Sequence, residues 1–361
     1  MGHSENSVPE GLPKIARCFN AGHEKHRKIP PMPTHTAIIA LTKGGKQLAQ
    51  RLVSLLPASE VVPNKDGIYH TLAQVWQNYD SLICIMATGI VVRSIAPLLQ
   101  DKTVDPAVVV CDEKGQFAIS LLSGHLGGGN ALAEQVADLL DGQAVITTAS
   151  DVLGRTALDL WCRDMGLVVN DKQGLTRVMA KLVNTGSVTL WSDYPLPSLP
   201  QDIVLVEQPD DADLLITCRT DCKGNAVLLH PKALVAGIGC NRNTPTKEIC
   251  DALEQACQAH QLARDAVYKL ASIDLKSDEP GLLAFAQSHN LPLDFYSPEK
   301  LNQVEGIEGS DVVLRITGAK AVAEPAAILG ADNGSLLVQK IKSPNVTVAI
   351  AEHRCPFRSD S

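Results

Sequence analysis

The sequence predicts a multi-domain α/β protein. Its sheets are mostly parallel and flanked by helices, with a small middle domain and an α/β C-terminal domain. Three observations predict this. Short apolar runs such as Leu82–Met86 alternate with stretches whose apolar residues share one helical face, the βα rhythm of a parallel sheet. That rhythm breaks into short strands between residues 155 and 232 and resumes at Leu234. The length of 361 residues allows two or three domains, and a content of 45% hydrophobic and 20% charged residues suits a chain with real cores.

Residues 1–34 hold the basic cluster His23–Lys28 and then Pro30, Pro31 and Pro33, with no sustained apolar period. They predict a disordered, solvated tail. An N-terminal α/β domain follows at 35–154. Ala37–Leu41 is a strand, and a helix runs from Gly44-Gly45 to Leu56. Leu82–Met86 is a buried strand, and Ile90–Leu99 a helix. Ala107–Cys111 and Phe117–Leu122 flank the turn Glu113-Lys114-Gly115 as a hairpin. A glycine-rich turn opens the helix Ala131–Leu140, and Val145-Ile146 is the next strand.

The middle domain spans 155–232. Helices are expected at Leu158–Met165 and Leu175–Val183, and short strands at Leu167–Val169, Val188–Leu190, Ile203–Val206, Leu214–Thr217 and Ala226–Leu229. The Pro-rich link Tyr194–Pro200 interrupts them. The C-terminal domain spans 233–361 and starts on the strand Leu234–Ile238. Thr244 as N-cap and Pro245 as first helical residue then open a helix to about His260. Lys269–Ile273 is a strand, Gly281–His289 a helix, and Ala321–Leu329 a helix closed by Gly330. Leu336–Ile341 and Val346–Ala351 end the domain as a hairpin.

A net charge of -8 argues against a general nucleic-acid or anionic-membrane binder. No apolar run approaches the roughly 18 residues of a membrane span. With no secretory signal, the ten scattered cysteines read as small hydrophobes in a reducing cytoplasm. Cys218 and Cys222 are spaced C-x-x-x-C, but no second pair follows at zinc spacing, so no metal site is expected.

Candidate sites fall at strand-to-helix junctions, where open α/β sheets bind ligands. Ser123-Gly124-His125-Leu126-Gly127-Gly128-Gly129-Asn130 lacks the Lys-Ser/Thr pair of a P-loop and the spacing of a dinucleotide fingerprint. Glycine this dense still predicts close backbone approach to a ligand. In Ala87-Thr88-Gly89-Ile90-Val91-Val92-Arg93, Thr88 is suited to capping or ligand contact and Arg93 to clamping a carboxylate. Thr147-Thr148-Ala149-Ser150-Asp151 is expected to bring hydroxyls and a carboxylate to the same sheet edge as those two loops. Gly237-Ile238-Gly239-Cys240-Asn241-Arg242 suits an anionic side chain, and Lys276 in Ser272–Glu279 offers a point charge. Glu324 in Val322–Ala327 sits where it favours a helix dipole.

Together these strings resemble the cobalt-precorrin-5A hydrolase family in order and content across residues 36–352. The resemblance implies a substrate: a cobalt-containing, contracted tetrapyrrole rich in carboxylates and bearing a δ-lactone on ring A. It implies lactone opening followed by loss of acetaldehyde, giving cobalt-precorrin-5B. It implies no separate cofactor, since the cobalt belongs to the substrate, and other cobalamin-pathway enzymes as partners. On that reading His125 is the candidate general base and the N–H groups of Gly127, Gly128 and Gly129 the candidate oxyanion site. Asp151 or His125 takes the proton of the released alcohol. Thr88, Ser123 and Glu324 lie in the matching strings as substrate contacts, and Arg93, Arg242 and Lys276 hold carboxylates. A non-catalytic carrier of corrinoid intermediates would use the same loops and is the alternative.

Overall fold

The structure, a computed structural model, describes residues 35–101, 104–222 and 224–357. The expected tail, residues 1–34, lies outside them. The described chain forms three sheets, each covered by the helices that follow its strands.

The first sheet has strands β1 (Thr36–Ala40), β2 (Ser59–Val61), β3 (Ser81–Ile85), β4 (Ala107–Cys111), β5 (Phe117–Leu122) and β6 (Gln143–Val145), in the order β2-β1-β3-β4-β5-β6. Helices α1 (Lys43–Leu55), α2 (Ile68–Val75), α3 (Thr88–Ile95), α4 (Gly129–Leu140) and α5 (Ala149–Val152) connect or follow them. Alternation within strands explains the two-sided core. Ile38, Ile83 and Val109 face α1 and α4 on one side, while Ala37, Ile39, Leu82 and Val108 face α2 and α3 on the other. β1, β3 and β4 run parallel, but the hairpin makes β5 antiparallel to β4, and β6 follows β5. The direction of the sheet therefore reverses between β4 and β5.

The second sheet has β7 (Val168–Val169), β8 (Val188–Ser192), β9 (Ile203–Leu205), β10 (Leu214–Ile216) and β11 (Val227–His230), ordered β7-β11-β10-β8-β9. Helices α6 (Leu158–Asp164) and α7 (Lys172–Thr185) cover it through Leu158, Cys162, Leu175, Val178 and Leu182. Asp171 caps α7 by accepting from Gly174 N at 2.7 Å.

The third sheet has β12 (Leu234–Cys240), β13 (Val267–Ile273), β14 (Leu293–Tyr296), β15 (Ser335–Lys342) and β16 (Val346–Glu352), ordered β14-β13-β12-β16-β15. β16 pairs antiparallel with β12 from Leu234↔Glu352 to Cys240↔Val346. Helices α8 (Thr246–Ala259), α9 (Pro280–Ser288), α10 (Pro298–Asn302), α11 (Asp311–Thr317) and α12 (Ala323–Gly330) complete this region. Three local expectations are corrected. Pro245 is extended (φ -62, ψ 143), so it occupies the N-cap position and the helix starts one residue later; Thr244 Oγ1 instead donates to Asn241 O at 2.9 Å. Gly330 is the last residue of α12, and left-handed backbone is taken by Asp332 and Asn333. A Cβ on Gly330 would meet Val235 Cγ1 at 2.7 Å, so its glycine serves close helix–sheet contact. Gly237 is likewise pressed against the α12 backbone and does not face a ligand.

Candidate active site

The loop after β5 is shaped by its own backbone. Ser123 is left-handed at φ 54, and its Oγ donates to Asp105 O at 3.0 Å. Gly128 is also left-handed, at φ 79. The N–H groups of Gly128, Gly129 and Asn130 donate to the carbonyls of His125, Ser123 and Gly124 at 3.0, 3.1 and 2.9 Å. A Cβ on Gly127 would come within 2.6 Å of Ser123 Cβ. The glycines thus let the turn close on itself, and this corrects the expected oxyanion site. The Gly128 and Gly129 N–H groups already have partners, and Gly127, Gly128 and Gly129 do not line the adjoining cleft; Ser123, Gly124, His125 and Leu126 do.

The turn presents His125 between two carboxylates. Nε2 lies 2.7 Å from Asp151 Oδ2, and Nδ1 lies 3.6 Å from Asp159 Oδ1. Ser150 Oγ is 3.2 Å from Nε2. Only 9% of the imidazole side chain is exposed, so each carboxylate acts on it with little solvent screening. Hydrogen bonding to Asp151, and secondarily to Asp159, lifts the pKa of His125 from 6.5 to about 9 against the opposing effect of burial. At neutral pH the ring is a cation. Asn130 Nδ2 donates to the same Asp151 Oδ2 at 2.8 Å and contacts Thr148 Oγ1 at 3.2 Å, fixing the carboxylate from a second side. Asn130 Oδ1 is buried without a hydrogen-bond partner among the described residues.

Asp159 comes from the first turn of α6, beyond the N-terminal sheet. The cleft of about 530 Å³ over His125 is closed on its far side by Thr176, Met179, Val183 and Asn184 of α7. Two sheets therefore share one site. Asn130 ends the glycine-rich string but is assigned no role by the sequence, and Asp159 and the α7 wall have no motif; for Asp159 the one sequence signal is a lone acid within the apolar run Leu158–Cys162.

Thr88 and Arg93 are not brought to this cleft. Their loop follows β3, whereas the His125 and Asp151 loops follow β5 and β6, which run the other way. The expected shared edge is corrected: the junctions lie at opposite edges of the sheet. The contact of Ser123 with Asp105, which lies just ahead of β4, marks the edge on which His125 sits. Thr88 is the first residue of α3 after the N-cap Ala87, and Arg93 is an exposed residue near that helix's end.

The C-terminal candidates gather around a second cavity of about 460 Å³, at the carboxyl ends of β12 and β13. Arg242, Lys276 and Glu324 line it together with Lys320, Lys340 and Lys342. Arg242 is paired with Asp278 and donates to Leu275 O at 2.9 Å. Lys276 Nζ lies 3.4 Å from Glu279, which is fully buried and accepts from Asn243 N at 2.7 Å. Glu324 Oε1 accepts from Lys340 N at 3.2 Å; Oε2 is 3.7 Å from Lys340 Nζ and makes no hydrogen bond among the described residues.

The described cysteines form no disulfide, and burial pushes the thiols of Cys84, Cys111 and Cys162 up to about 12, which leaves them neutral and unreactive. Cys218 contacts Glu352 at 3.2 Å, and among the described residues no group of three or more His, Cys, Asp and Glu is placed to hold a metal ion. Among the same residues no helix is long and apolar enough to cross a membrane.

Comparison with known proteins matches this frame. The chain matches the family models Cobalamin synthesis G N-terminal over residues 70–151, Cobalamin biosynthesis central region over 156–231 and Cobalamin synthesis G C-terminus over 234–351. It is 36% identical over 352 residues to the cobalt-precorrin-5A hydrolase of Priestia megaterium, spanning 87% of this chain and 94% of that one. It is 36% identical over 343 residues to the cobalt-precorrin-5A hydrolase of Salmonella typhimurium, spanning 88% and 97%. The crystal structure of a cobalamin biosynthesis protein G homolog from Sulfolobus solfataricus covers 89% of this chain and 97% of its own, at 21% identity and a TM-score of 0.36. With that identity over nearly the full length of two curated relatives, the chain belongs to the cobalt-precorrin-5A hydrolase family.

Proposed function

We propose that this protein is a cobalt-precorrin-5A hydrolase acting at the cleft over His125. It opens the ring-A δ-lactone of its cobalt-bearing substrate by addition of water and releases acetaldehyde to leave cobalt-precorrin-5B. The observation that carries the assignment to this cleft is one buried imidazole held between two carboxylates, 2.7 Å from Asp151 and 3.6 Å from Asp159.

A ring kept protonated is poorly suited to the general-base role that the sequence suggests for it, so the roles exchange. Asp151 accepts the proton of the attacking water. The His125 cation stabilises charge developing on the lactone carbonyl oxygen and donates a proton to the ring oxygen as the C–O bond breaks. Asp151 passes the water's proton back to the now neutral His125 across their 2.7 Å contact and, as a carboxylate again, accepts the hydroxyl proton of the opened product. The carbonyl of acetaldehyde forms, the carbon–carbon bond breaks, and its electron pair enters the macrocycle. Asn130 positions Asp151, and Asp159 positions and charges His125. The cobalt is substrate, and each step uses only side chains of this chain. Three folded units with boundaries near residues 155 and 233, other cobalamin-pathway enzymes as partners, and a cytoplasmic location belong to the same proposal. The free thiols fit that compartment.

The direct test is to incubate the protein with cobalt-precorrin-5A and follow acetaldehyde with a coupled aldehyde dehydrogenase. Stoichiometric acetaldehyde is expected. Tight binding of the intermediate with no acetaldehyde would instead identify a carrier.

A further inference from the structure

The N–H groups of Gly128 and Gly129 are spent inside their own turn, so the backbone there offers no donor to the carbonyl oxygen of a bound lactone. Five hydroxyls line the His125 cleft, and they differ in where their hydrogens go. Ser123 Oγ donates to Asp105 O at 3.0 Å, Thr156 Oγ1 to Asp202 Oδ1 at 2.6 Å and Thr176 Oγ1 to Lys172 O at 2.9 Å. Those three hydrogens are spent. For Thr148 and Ser150 the one side-chain partner among the described residues is itself a donor. Asn130 Nδ2 donates to Thr148 Oγ1 at 3.2 Å. Ser150 Oγ lies 3.2 Å from His125 Nε2. That nitrogen is also 2.7 Å from an oxygen of Asp151, a separation that requires a hydrogen between them, and an ionised carboxylate leaves it on the nitrogen. A ring nitrogen that bears its hydrogen accepts nothing. Ser150 Oγ is therefore the acceptor in this contact, with the ring neutral or cationic alike, and its own hydrogen is left for the cleft. Thr148 is half-buried, so water can receive its hydrogen, whereas Ser150 is only 7% exposed. A buried donor without an acceptor is unfavourable, and a bound carbonyl oxygen would relieve it.

We propose that Ser150 is a further catalytic residue, whose hydroxyl donates a hydrogen bond to the lactone carbonyl oxygen as that oxygen takes on negative charge. The inference rests on the hydrolase reading of this cleft and names a contact that reading leaves open. His125 donates to the Ser150 oxygen, which strengthens the Ser150 hydrogen as a donor and carries the charge of the ring to the carbonyl. The contact is strongest while the carbonyl carbon is tetrahedral and relaxes when the ring C–O bond breaks. No covalent bond to Ser150 forms or breaks. A nucleophilic role would require Ser150 to pass its hydrogen to His125 Nε2, which already holds one. Ser150→Ala removes the donor and leaves the contacts of His125 with Asp151 and Asp159 in place.

The test incubates cobalt-precorrin-5A with the full-length protein and follows it by mass spectrometry. This separates the lactone, its ring-opened form heavier by one water, and the product after loss of acetaldehyde. Ser150→Ala should lower kcat by about 10²–10³-fold with KM within about threefold, and the unopened lactone should be the species that accumulates. The alkaline limb of its pH–rate profile should stay at the wild-type position, because Asp151 and Asp159 raise the pKa of His125 and Ser150 does not. Ser150→Cys, with a weak donor but a strong nucleophile, should be as slow as Ser150→Ala to within about threefold. Alanine and cysteine both suit the volume of the serine site, and kcat is referred to the folded fraction read by circular dichroism. The proposal is overturned by near-normal kcat in Ser150→Ala, by accumulation of the ring-opened form, or by a rise in KM without a fall in kcat. It is overturned equally by a substrate adduct on acid-quenched protein or by full activity in Ser150→Cys, either of which would make Ser150 a nucleophile. Lactone left intact by wild type defeats the hydrolase reading and this contact together. Lactone opened equally by wild type and Ser150→Ala defeats the contact alone.

Discussion

In the cleft over His125 two carboxylates surround one imidazole, whereas in the C-terminal cavity five cations outnumber two carboxylates. The first places few titratable groups within hydrogen-bond reach in a poorly hydrated turn, where each one strongly perturbs the next. The second distributes its cations from the largely buried Lys276 to the exposed Lys320 and Lys342. Proton transfer needs short distances and matched acidity; holding a polyanion needs breadth and accepts long, solvated side chains. The contrast teaches that dispersed lysines need not mark the reacting centre of a protein with an anionic substrate.

The comparison breaks most visibly if the cleft is not where bonds change. His125→Ala should lower acetaldehyde turnover by about 10²–10⁴-fold while the affinity for the substrate changes much less. A stable variant with normal turnover would move the chemistry elsewhere. Asp159→Asn sharpens the internal logic of the cleft. Turnover should drop about tenfold, the scale of one charge-assisted contact, and the alkaline limb of the pH–rate profile should shift to lower pH. That limb reports loss of the His125 proton from a pKa of about 9, so an unmoved limb would make Asp159 merely structural.

Stability should carry the same signature. The folded pKa of His125 is raised above its value of 6.5, so its stabilisation is fully present below about pH 6.5 and is lost as pH rises through about 9. Relative to His125→Asn, the wild-type thermal midpoint should fall between about pH 7 and 10 by on the order of a few degrees. A constant difference between the two proteins over that range would contradict the assigned charge. The smallest effect is expected at the opposite sheet edge, where Arg93→Ala should change KM and kcat by less than about twofold, as a solvated surface residue does. A large rise in KM would mean that the substrate reaches across the sheet.

Much of this is legible from residue order alone. Strands such as Ser81–Ile85 and helices such as Gly129–Leu140 follow from apolar period, and the loop holding His125 follows from its glycines. The short elements α2, α10 and α11 escape because each spans eight residues or fewer and none combines a capping side chain with a long apolar stripe, as α7 does. The misplaced edge has a more instructive cause. The hairpin at Glu113–Gly115 is visible in the sequence, but its consequence, that everything after it points the other way, is a property of the sheet as a whole. Asp159 is hidden for a related reason: a carboxylate at the start of a helix already satisfies the dipole, and only tertiary contact gives it a second task.

The pairing of β12 with β16 has a consequence in time. β16 lies in the interior of its sheet, joined to the first strand of the unit although it is the last to be synthesised. Its final residue, Glu352, accepts from the buried Tyr194 hydroxyl at 2.7 Å and so also completes a contact to the middle sheet. A growing chain can close the first sheet, with its local β4–β5 hairpin, long before this seam exists. The His125 cleft, whose α7 wall packs on the second sheet, needs residues up to about His230, whereas the lysine-rimmed cavity must wait for Val346 and Thr347. During translation the protein acquires its reacting groups first and its cationic mouth last, an order that protease protection of chains stalled at successive lengths would reveal.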